Sequence, residues 1–157
     1  MIQGKTYTLE EAKRVLENYC VYQERCHKEV RDKLGKMRMI PDAIDLVIVH
    51  LLEHDFLNET RFAKTFVSGK FRVKKWGRNR IKRELKLREI SNYNIDLAIN
   101  EISDFDYLRA FHELADKKID STKEKSLLKK KKKVADYLFY RGWESHLIYD
   151  KLNSINQ

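Results

Sequence analysis

Apolar residues recur along the chain at helical spacing, in nine short segments separated by polar residues or glycine. The first segment follows Thr8 and Glu11, which form a T-x-x-E capping box. Pro41 and Asn58 are typical of helix starts, and Gly77 interrupts the pattern between two segments. One proline and five glycines favour short helices joined by short loops over a β-protein with many tight turns. The pattern therefore predicts an all-α fold.

The nine segments repeat three times with a period of about fifty residues, each unit being a long, a short and a medium helix. Units of this kind bury their apolar faces partly on their neighbours, which gives an elongated, curved helical body. We predict three tandem three-helix repeats, at residues 1–56, 57–103 and 104–157. The apolar positions that we match are Val30, Ile81 and Val134; Leu34, Leu85 and Leu138; Ile40, Ile90 and Trp143; Ile44, Ile95 and Ile148; and Leu51, Ile102 and Leu152.

Positive charge is concentrated in two stretches of the chain. Arg61–Arg88 contains twelve basic residues against one acidic residue, and Lys117–Lys133 contains nine lysines against two. The whole chain carries a net charge of +9, so the rest of it is net acidic. Concentrated charge of one sign indicates a partner of the other sign, most often nucleic acid or a protein that holds nucleic acid.

In the first basic stretch, basic residues lie beside an apolar stripe that includes Phe62, Phe66 and Val73. The helix after it has a thin apolar seam and directs Arg80, Lys82, Arg83 and Lys86 outward. We predict that the partner-binding or DNA-binding residues are Arg61, Lys64, Lys70, Arg72, Lys74, Lys75, Arg78, Arg80, Lys82, Arg83, Lys86, Lys129, Lys130, Lys132 and Lys133.

Two features of these stretches have alternative interpretations. Phe71 and Trp76 are aromatic residues, a type that can stack on unpaired bases, but packing in the core is the favoured interpretation of both. The lysine run Lys129–Lys133 is either a solvated helix face or a contact to a polyanion, and the sequence supports both equally. Within that run, Lys131 shares a face with apolar residues, so its stem would lie on them.

Catalytic motifs are missing from the sequence: it has no phosphate loop, no dinucleotide fingerprint and no serine elbow. His50 and His54 have the spacing of a zinc pair but lack the glutamate of H-E-x-x-H, so we interpret them as polar rim positions. Cys20 and Cys26 are expected to be reduced, buried thiols. We expect no enzyme activity, cofactor or metal, and, without a signal peptide or membrane span, a cytoplasmic location. A metal or thiol enzyme is the weakest alternative.

Four segments resemble the RecX family of regulators of the RecA recombinase. Arg25–Leu34 is similar to a family segment ending in E-[LV]-x-x-K-L, and Leu57–Ala63 reads LNETRFA, similar to L-[ND]-[DE]-x-R-[FY]-A. Gly77–Leu85 is similar to G-x-x-[RK]-I-x-x-E-L, and Lys133–Trp143 to K-x-x-x-[FY]-L-x-x-R-G-[FY]. The chain departs from the family at Val73–Trp76, where a glycine or proline turn is common. The four matches occur in the order and spacing of the family, and together they extend over nearly the whole chain.

The resemblance implies tandem three-helix repeats, no catalysis, and binding in the groove of a RecA–DNA filament, which limits the filament's growth and activity. The expected partners are the RecA recombinase filament and, weakly and without sequence preference, single- and double-stranded DNA; the protein itself is expected to be a monomer. The alternative is a tri-helical protein that acts on DNA directly. Among amide side chains that read bases, the candidate helix has only Asn79, which favours phosphate contact over sequence readout.

Overall fold

The computed structural model describes residues 4–155, and over that range the chain forms nine α-helices and no strand, which confirms the all-α prediction. The helices are α1 (Leu9–Tyr22), α2 (His27–Lys36), α3 (Pro41–Glu53), α4 (Glu59–Arg72), α5 (Arg78–Leu87), α6 (Asn92–Ile99), α7 (Asp104–Ser121), α8 (Leu127–Tyr140) and α9 (Ser145–Asn153).

The helix starts follow from local chemistry. Thr8 and Glu11 form the predicted capping box, and Pro41 occupies the first turn of α3. The α8 helix begins at Leu127, where the side chain of Ser126 caps it. In five helices an N-cap side chain accepts a hydrogen bond from the backbone N–H three residues later; these residues are Thr8, Asn58, Ser91, Ser103 and Ser126.

The predicted order of a long, a short and a medium helix holds only in repeat 1, because α6 with 8 residues and α9 with 9 residues are the shortest helices of repeats 2 and 3. The second helix of every repeat nevertheless ends in the same turn. One residue after the C-cap lies in the left-handed region, with φ of 62° at Arg38, 60° at Glu89 and 93° at Gly142. The next backbone N–H then donates to the carbonyl five residues earlier, at 3.1 Å in the first two repeats and 3.2 Å in the third. This shared turn relates the repeats by backbone geometry as well as by apolar pattern.

That turn corrects two of the predicted correspondences. Met39 occupies the place of Ile90 and Trp143, because each follows the left-handed residue directly. Ile40 is instead the N-cap of α3 and is 65% exposed. Leu152 lies as many residues after the N-cap of its third helix as Ile48 and Ile99 lie after theirs, so Leu152 matches those two residues. Leu51 and Ile102 match Ile155 in the same way, and not Leu152 as predicted. Val73 was also misplaced: it ends α4 and is 75% exposed.

The buried side chains form two cores. The first lies within α1–α3 and extends to Leu57. The second is continuous through α4–α9, and Cys26 from the first repeat inserts into it. At its centre Trp143, 1% exposed, has its ring centroid 4.7 Å from that of Tyr107 and 5.4 Å from that of Phe111. Repeats 2 and 3 are therefore one packed body, and repeat 1 has a core of its own.

Two glycines allow repeats 2 and 3 to meet backbone to backbone. Gly77 donates to the Arg141 carbonyl at 2.8 Å, and the N–H of Asn79 donates to the Gly142 carbonyl at 3.0 Å. A Cβ on Gly77 would lie 2.5 Å from the Gly142 oxygen, and a Cβ on Gly142 would lie 2.3 Å from that of Arg80. No larger residue fits either position without displacing the neighbouring chain.

The accessible surface supports an extended shape. It measures 10157 Å², whereas a compact monomer of 18.9 kDa exposes about 8300 Å². Tandem units that contact mainly their neighbours expose more surface than a sphere of equal mass, and this excess agrees with that arrangement.

Candidate polyanion-binding surface

Arg61, one of the predicted binding residues, joins repeat 1 to repeat 2. Its Nε donates to Glu24 Oε2 at 2.8 Å and its Nη1 to Asp55 Oδ2 at 3.1 Å, so one side chain ties α4 to two loops of the first repeat. The hydrogen bond that Arg61 donates to the Glu24 carboxylate raises the pKa of Arg61. Most of the donors of this guanidinium are used inside the protein.

Arg78 has a comparable internal role between repeats 2 and 3. Its guanidinium lies 3.7 Å from the centroid of the Tyr107 ring, and it forms ion pairs of 3.1 Å with Asp104 and with Glu144. The Tyr107 hydroxyl accepts from the Arg78 backbone N–H at 2.9 Å and donates to the Glu144 carboxylate. Burial and that carboxylate raise the pKa of Tyr107 far above its ordinary value, so the hydroxyl stays protonated.

Arg80 does not point outward as the sequence predicted. Its guanidinium carbon lies 4.1 Å from the Trp76 ring centroid and 4.7 Å from that of Tyr140, and its Nη1 donates to the Tyr140 carbonyl at 3.3 Å. Trp76 is thereby held between α4 and α5, with Lys70 Nζ 4.9 Å from its ring. Phe71 is buried in the second core, which confirms packing as its use.

Three of the predicted lysines form exposed ion pairs. Lys64 lies 3.4 Å from Glu101, Lys132 lies 2.8 Å from Asp136, and Lys133 lies 2.5 Å from Glu124. Exposed pairs of this kind contribute little to stability and exchange readily for another anion. These lysines are accessible to a partner, but each already has a neighbouring carboxylate.

The other predicted residues form no ion pair anywhere in residues 4–155. They occupy the end of α4 and the connection after it, the outer face of α5, and the first turn of α8. Those on α5 line a shallow groove together with Asn79 and Leu87. They are Arg72, Lys74 and Lys75; Lys82, Arg83 and Lys86; and Lys129 and Lys130.

The structure adds three cations that the predicted set omits. Lys117 and Lys118 of α7 and Arg141 after α8 line one groove with Lys74 and Lys75. The lysines belong to the second basic stretch and the arginine to the R-G-W segment, so the sequence contained both signals. Their proximity to the α4–α5 connection depends on the packing of repeat 2 against repeat 3, which the sequence does not show.

The histidines and cysteines have structural positions. His50 Nε2 lies 2.6 Å from Glu17 Oε2, joining α3 to α1, and this hydrogen bond lowers the pKa of Glu17. Both cysteines are buried free thiols, and burial raises their pKa to about 11. In the part of the chain that the structure covers, no cluster of three potential metal ligands occurs and no helix is long and apolar enough to cross a membrane.

The fold and this surface define an all-α protein of tandem three-helix units whose accessible cations belong mostly to the second and third units. The family models of the RecX second three-helix domain and the RecX third three-helix domain match residues 58–99 and 106–152, together more than half of the chain. The chain belongs to the RecX family. The sequence resemblance is thereby confirmed.

Curated relatives carry the name Regulatory protein RecX. The protein from Clostridium acetobutylicum is 31% identical over 135 residues, covering 83% of this chain and 62% of its own. The Clostridioides difficile protein is 26% identical over 139 residues, covering 88% and 65%. The Yersinia pseudotuberculosis protein is 34% identical over 103 residues, covering 66% and 55%. The chain thus spans about half to two thirds of the length of the curated relatives that it matches.

Solved structures agree with this assignment. The crystal structure of RecX from Lactobacillus salivarius superposes with a TM-score of 0.78 at 25% identity, covering 94% of this chain and 97% of that one. A crystal structure of regulatory protein RecX gives a TM-score of 0.82 at 18% identity over 94% of this chain and 73% of that one, which supports the fold. Tandem three-helix repeats are therefore the architecture of this protein.

Proposed function

We propose that this protein is a non-enzymatic regulator that binds a RecA–DNA filament and limits its extension, ATP hydrolysis and strand exchange. Family membership supports a regulatory role, and the unpaired cations of α5 are the observation that supports binding to an anionic assembly. Lys82, Arg83 and Lys86 extend from one helix, and no carboxylate pairs with them in the described residues. Uncompensated like charges repel one another unless an anionic partner neutralises them.

The repeats have different roles in this proposal. Repeat 1 has its own core, whereas repeats 2 and 3 share one core and carry all of the predicted binding residues. A rigid body of two repeats keeps its cations at fixed separations, which favours binding to a regular polymer such as a filament. The protein would bind as a monomer.

A triple variant, Lys82→Glu, Arg83→Glu and Lys86→Glu, tests the proposal. None of the three side chains takes part in an internal ion pair of the described structure, so circular dichroism should show an unchanged fold. The variant should lose inhibition of the recombinase's DNA-dependent ATP hydrolysis and strand exchange. The matched control reverses the same number of exposed charges in repeat 1, at Lys5, Arg31 and Lys36, and should inhibit like the wild type.

Direct action on DNA is the competing function. Measuring inhibition at different ratios of DNA to recombinase distinguishes the two functions. A regulator that binds the filament inhibits when recombinase saturates the DNA and no free lattice is left. A protein that only competes for single- or double-stranded DNA loses its effect once DNA is in excess. Inhibition that vanishes with excess DNA, or a triple variant that inhibits as well as its control, contradicts the proposal.

A further inference from the structure

We propose that the groove between the α4–α5 connection and helices α7 and α8 binds the phosphodiester backbone of a nucleic-acid strand. This inference deepens the proposed function, because it assigns the nucleic acid of the filament to one groove and leaves the α5 face for protein. The cations that line the groove are Lys74, Lys75, Lys117, Lys118 and Arg141.

The charge of the groove is uncompensated. No carboxylate is among the residues that line it, and its five cations form no ion pair within the described chain. Lys117 and Lys118 lie near the C-terminus of α7, where the helix dipole adds negative potential and stabilises cations. Some basic side chains of this protein, such as Arg61 and Lys133, are paired with acids. The cations of this groove, like those on the outer face of α5, have no such pair and are available to an external anion.

One wall of the groove is held in place by a cation pair on an aromatic ring. The guanidinium of Arg141 and the Nζ of Lys118 each lie 4.7 Å from the Tyr137 ring centroid. Arg141 Nη1 also donates to the Lys74 carbonyl at 2.5 Å, which links repeat 3 to the α4–α5 connection. These contacts fix the direction of two cations before a ligand arrives, which lowers the entropic cost of binding.

The opposite wall is held by the core. Trp143 Nε1 donates to the Lys75 carbonyl at 3.2 Å, and Lys75 itself has φ of 61°. Since the Trp143 ring is buried in the core that repeats 2 and 3 share, this bond fixes the backbone of the connection that carries the two lysines. The groove therefore exists only when the two repeats are packed.

The hydrogen-bonding groups favour a phosphodiester over an acidic peptide. The carbonyls of Lys74 and Lys75 already accept bonds from Arg141 and Trp143, so the cationic walls offer mainly donors. A peptide strand needs partners for both its N–H and its C=O groups, whereas a phosphodiester presents only acceptors. A nucleic-acid strand also carries a negative charge at every nucleotide. Two cations lie over Tyr137, so the groove contacts phosphates rather than stacking bases.

The experiment measures oligonucleotide binding by the full chain with Lys74→Glu and Lys117→Glu together, both exposed residues. The probes are fluorescent oligothymidylate and an abasic phosphodiester of equal length, followed by anisotropy across a salt series. The variant should bind about tenfold or more weakly, with a log–log salt slope less steep by about 1.4, the value for two single-strand phosphate contacts at about 0.7 each. The control, Lys5→Glu with Lys36→Glu, should bind like the wild type, and the abasic strand should bind nearly as well as oligothymidylate.

Equal binding by the variant and its control overturns the proposal. If in that case the variant alone loses binding to a polyglutamate peptide, the groove holds an acidic protein segment instead. Strong preference for oligothymidylate over the abasic strand also overturns it, because base contact would then dominate. The outcome is separable from that of the proposed function: recombinase inhibition by the wild type tests the regulator, and strand binding by the groove variant tests the groove.

Discussion

Replacing Gly77 by alanine tests whether repeats 2 and 3 are one packed body. The backbone of Gly77, with φ of −83°, is one that alanine adopts freely, so the substitution adds no conformational strain of its own. The substitution acts through steric contact between the new methyl group and the neighbouring backbone. The new methyl group would lie 2.5 Å from the Gly142 oxygen and 2.7 Å from the Cα of Trp143, which are both backbone atoms and have no rotamer to change.

The expected destabilisation follows from what must move. Separating the two backbones lengthens the bonds from Gly77 to Arg141 and from Asn79 to Gly142, now 2.8 and 3.0 Å. Each of these bonds contributes about 1 kcal/mol to stability. Overpacking at a buried site costs roughly a further 1–3 kcal/mol. We expect the free energy of unfolding to fall by about 3–5 kcal/mol, and the midpoint of thermal unfolding by about 10 °C for a chain of this size.

Intrinsic fluorescence during urea unfolding measures this change at the joint itself, because both tryptophans of the chain, Trp76 and Trp143, lie there. The matched control is Gly69→Ala in α4, where an added Cβ meets nothing within 4 Å. Alanine in an exposed helix interior should stabilise it by about 0.5–1 kcal/mol. If Gly77→Ala unfolds at the wild-type urea concentration with unchanged fluorescence, the close backbone contact between the repeats does not exist.

Three further predictions concern the joint with repeat 1, the thiols and the shape. Arg61→Ala should lower the free energy of unfolding by about 1–2 kcal/mol, since Glu24 loses a charged donor, whereas Arg72→Ala should change it by less than about 0.5 kcal/mol in the same urea titration. The pKa of Cys20 and Cys26 is raised to about 11 by burial; their contribution to stability is complete below pH 9, the ordinary value, and is lost as the pH rises toward 11. Replacing both by alanine should flatten the decline of stability above pH 9, and an equally steep decline would contradict this. Small-angle scattering should give a radius of gyration above the roughly 15 Å of a compact chain of this length.

The helices and their starts could be predicted because their signals are local. Thr8 with Glu11, Pro41 and Asn58 act within one turn of the helix that they begin, so a short window of sequence contains the whole interaction. Periodicity of apolar residues likewise gave the seam of Ile81 and Leu85. The turn after α2 was harder, because its left-handed residue is Arg38 and no glycine marks it.

The roles of individual arginines could not be predicted because their partners are distant in sequence. Arg61 and Glu24 are 37 residues apart, Arg78 and Glu144 are 66 apart, and Arg80 reaches a carbonyl 60 residues away. A charge count treats every basic residue as available to a partner. Only the packed structure separates those that bind within the protein from those that remain exposed.

That separation follows side-chain chemistry. Arg61, Arg78, Arg80 and Arg88 of the first basic stretch form forked or stacked contacts inside the protein, as with Arg88, which donates to the Glu84 carbonyl at 2.9 Å and lies over Phe66. A planar guanidinium with five donors suits such fixed contacts, whereas the strongly hydrated lysine ammonium remains in solvent. The positive charge that this surface offers to a partner is therefore carried mainly by lysines, and much of the arginine content of the stretch stabilises the scaffold that positions them.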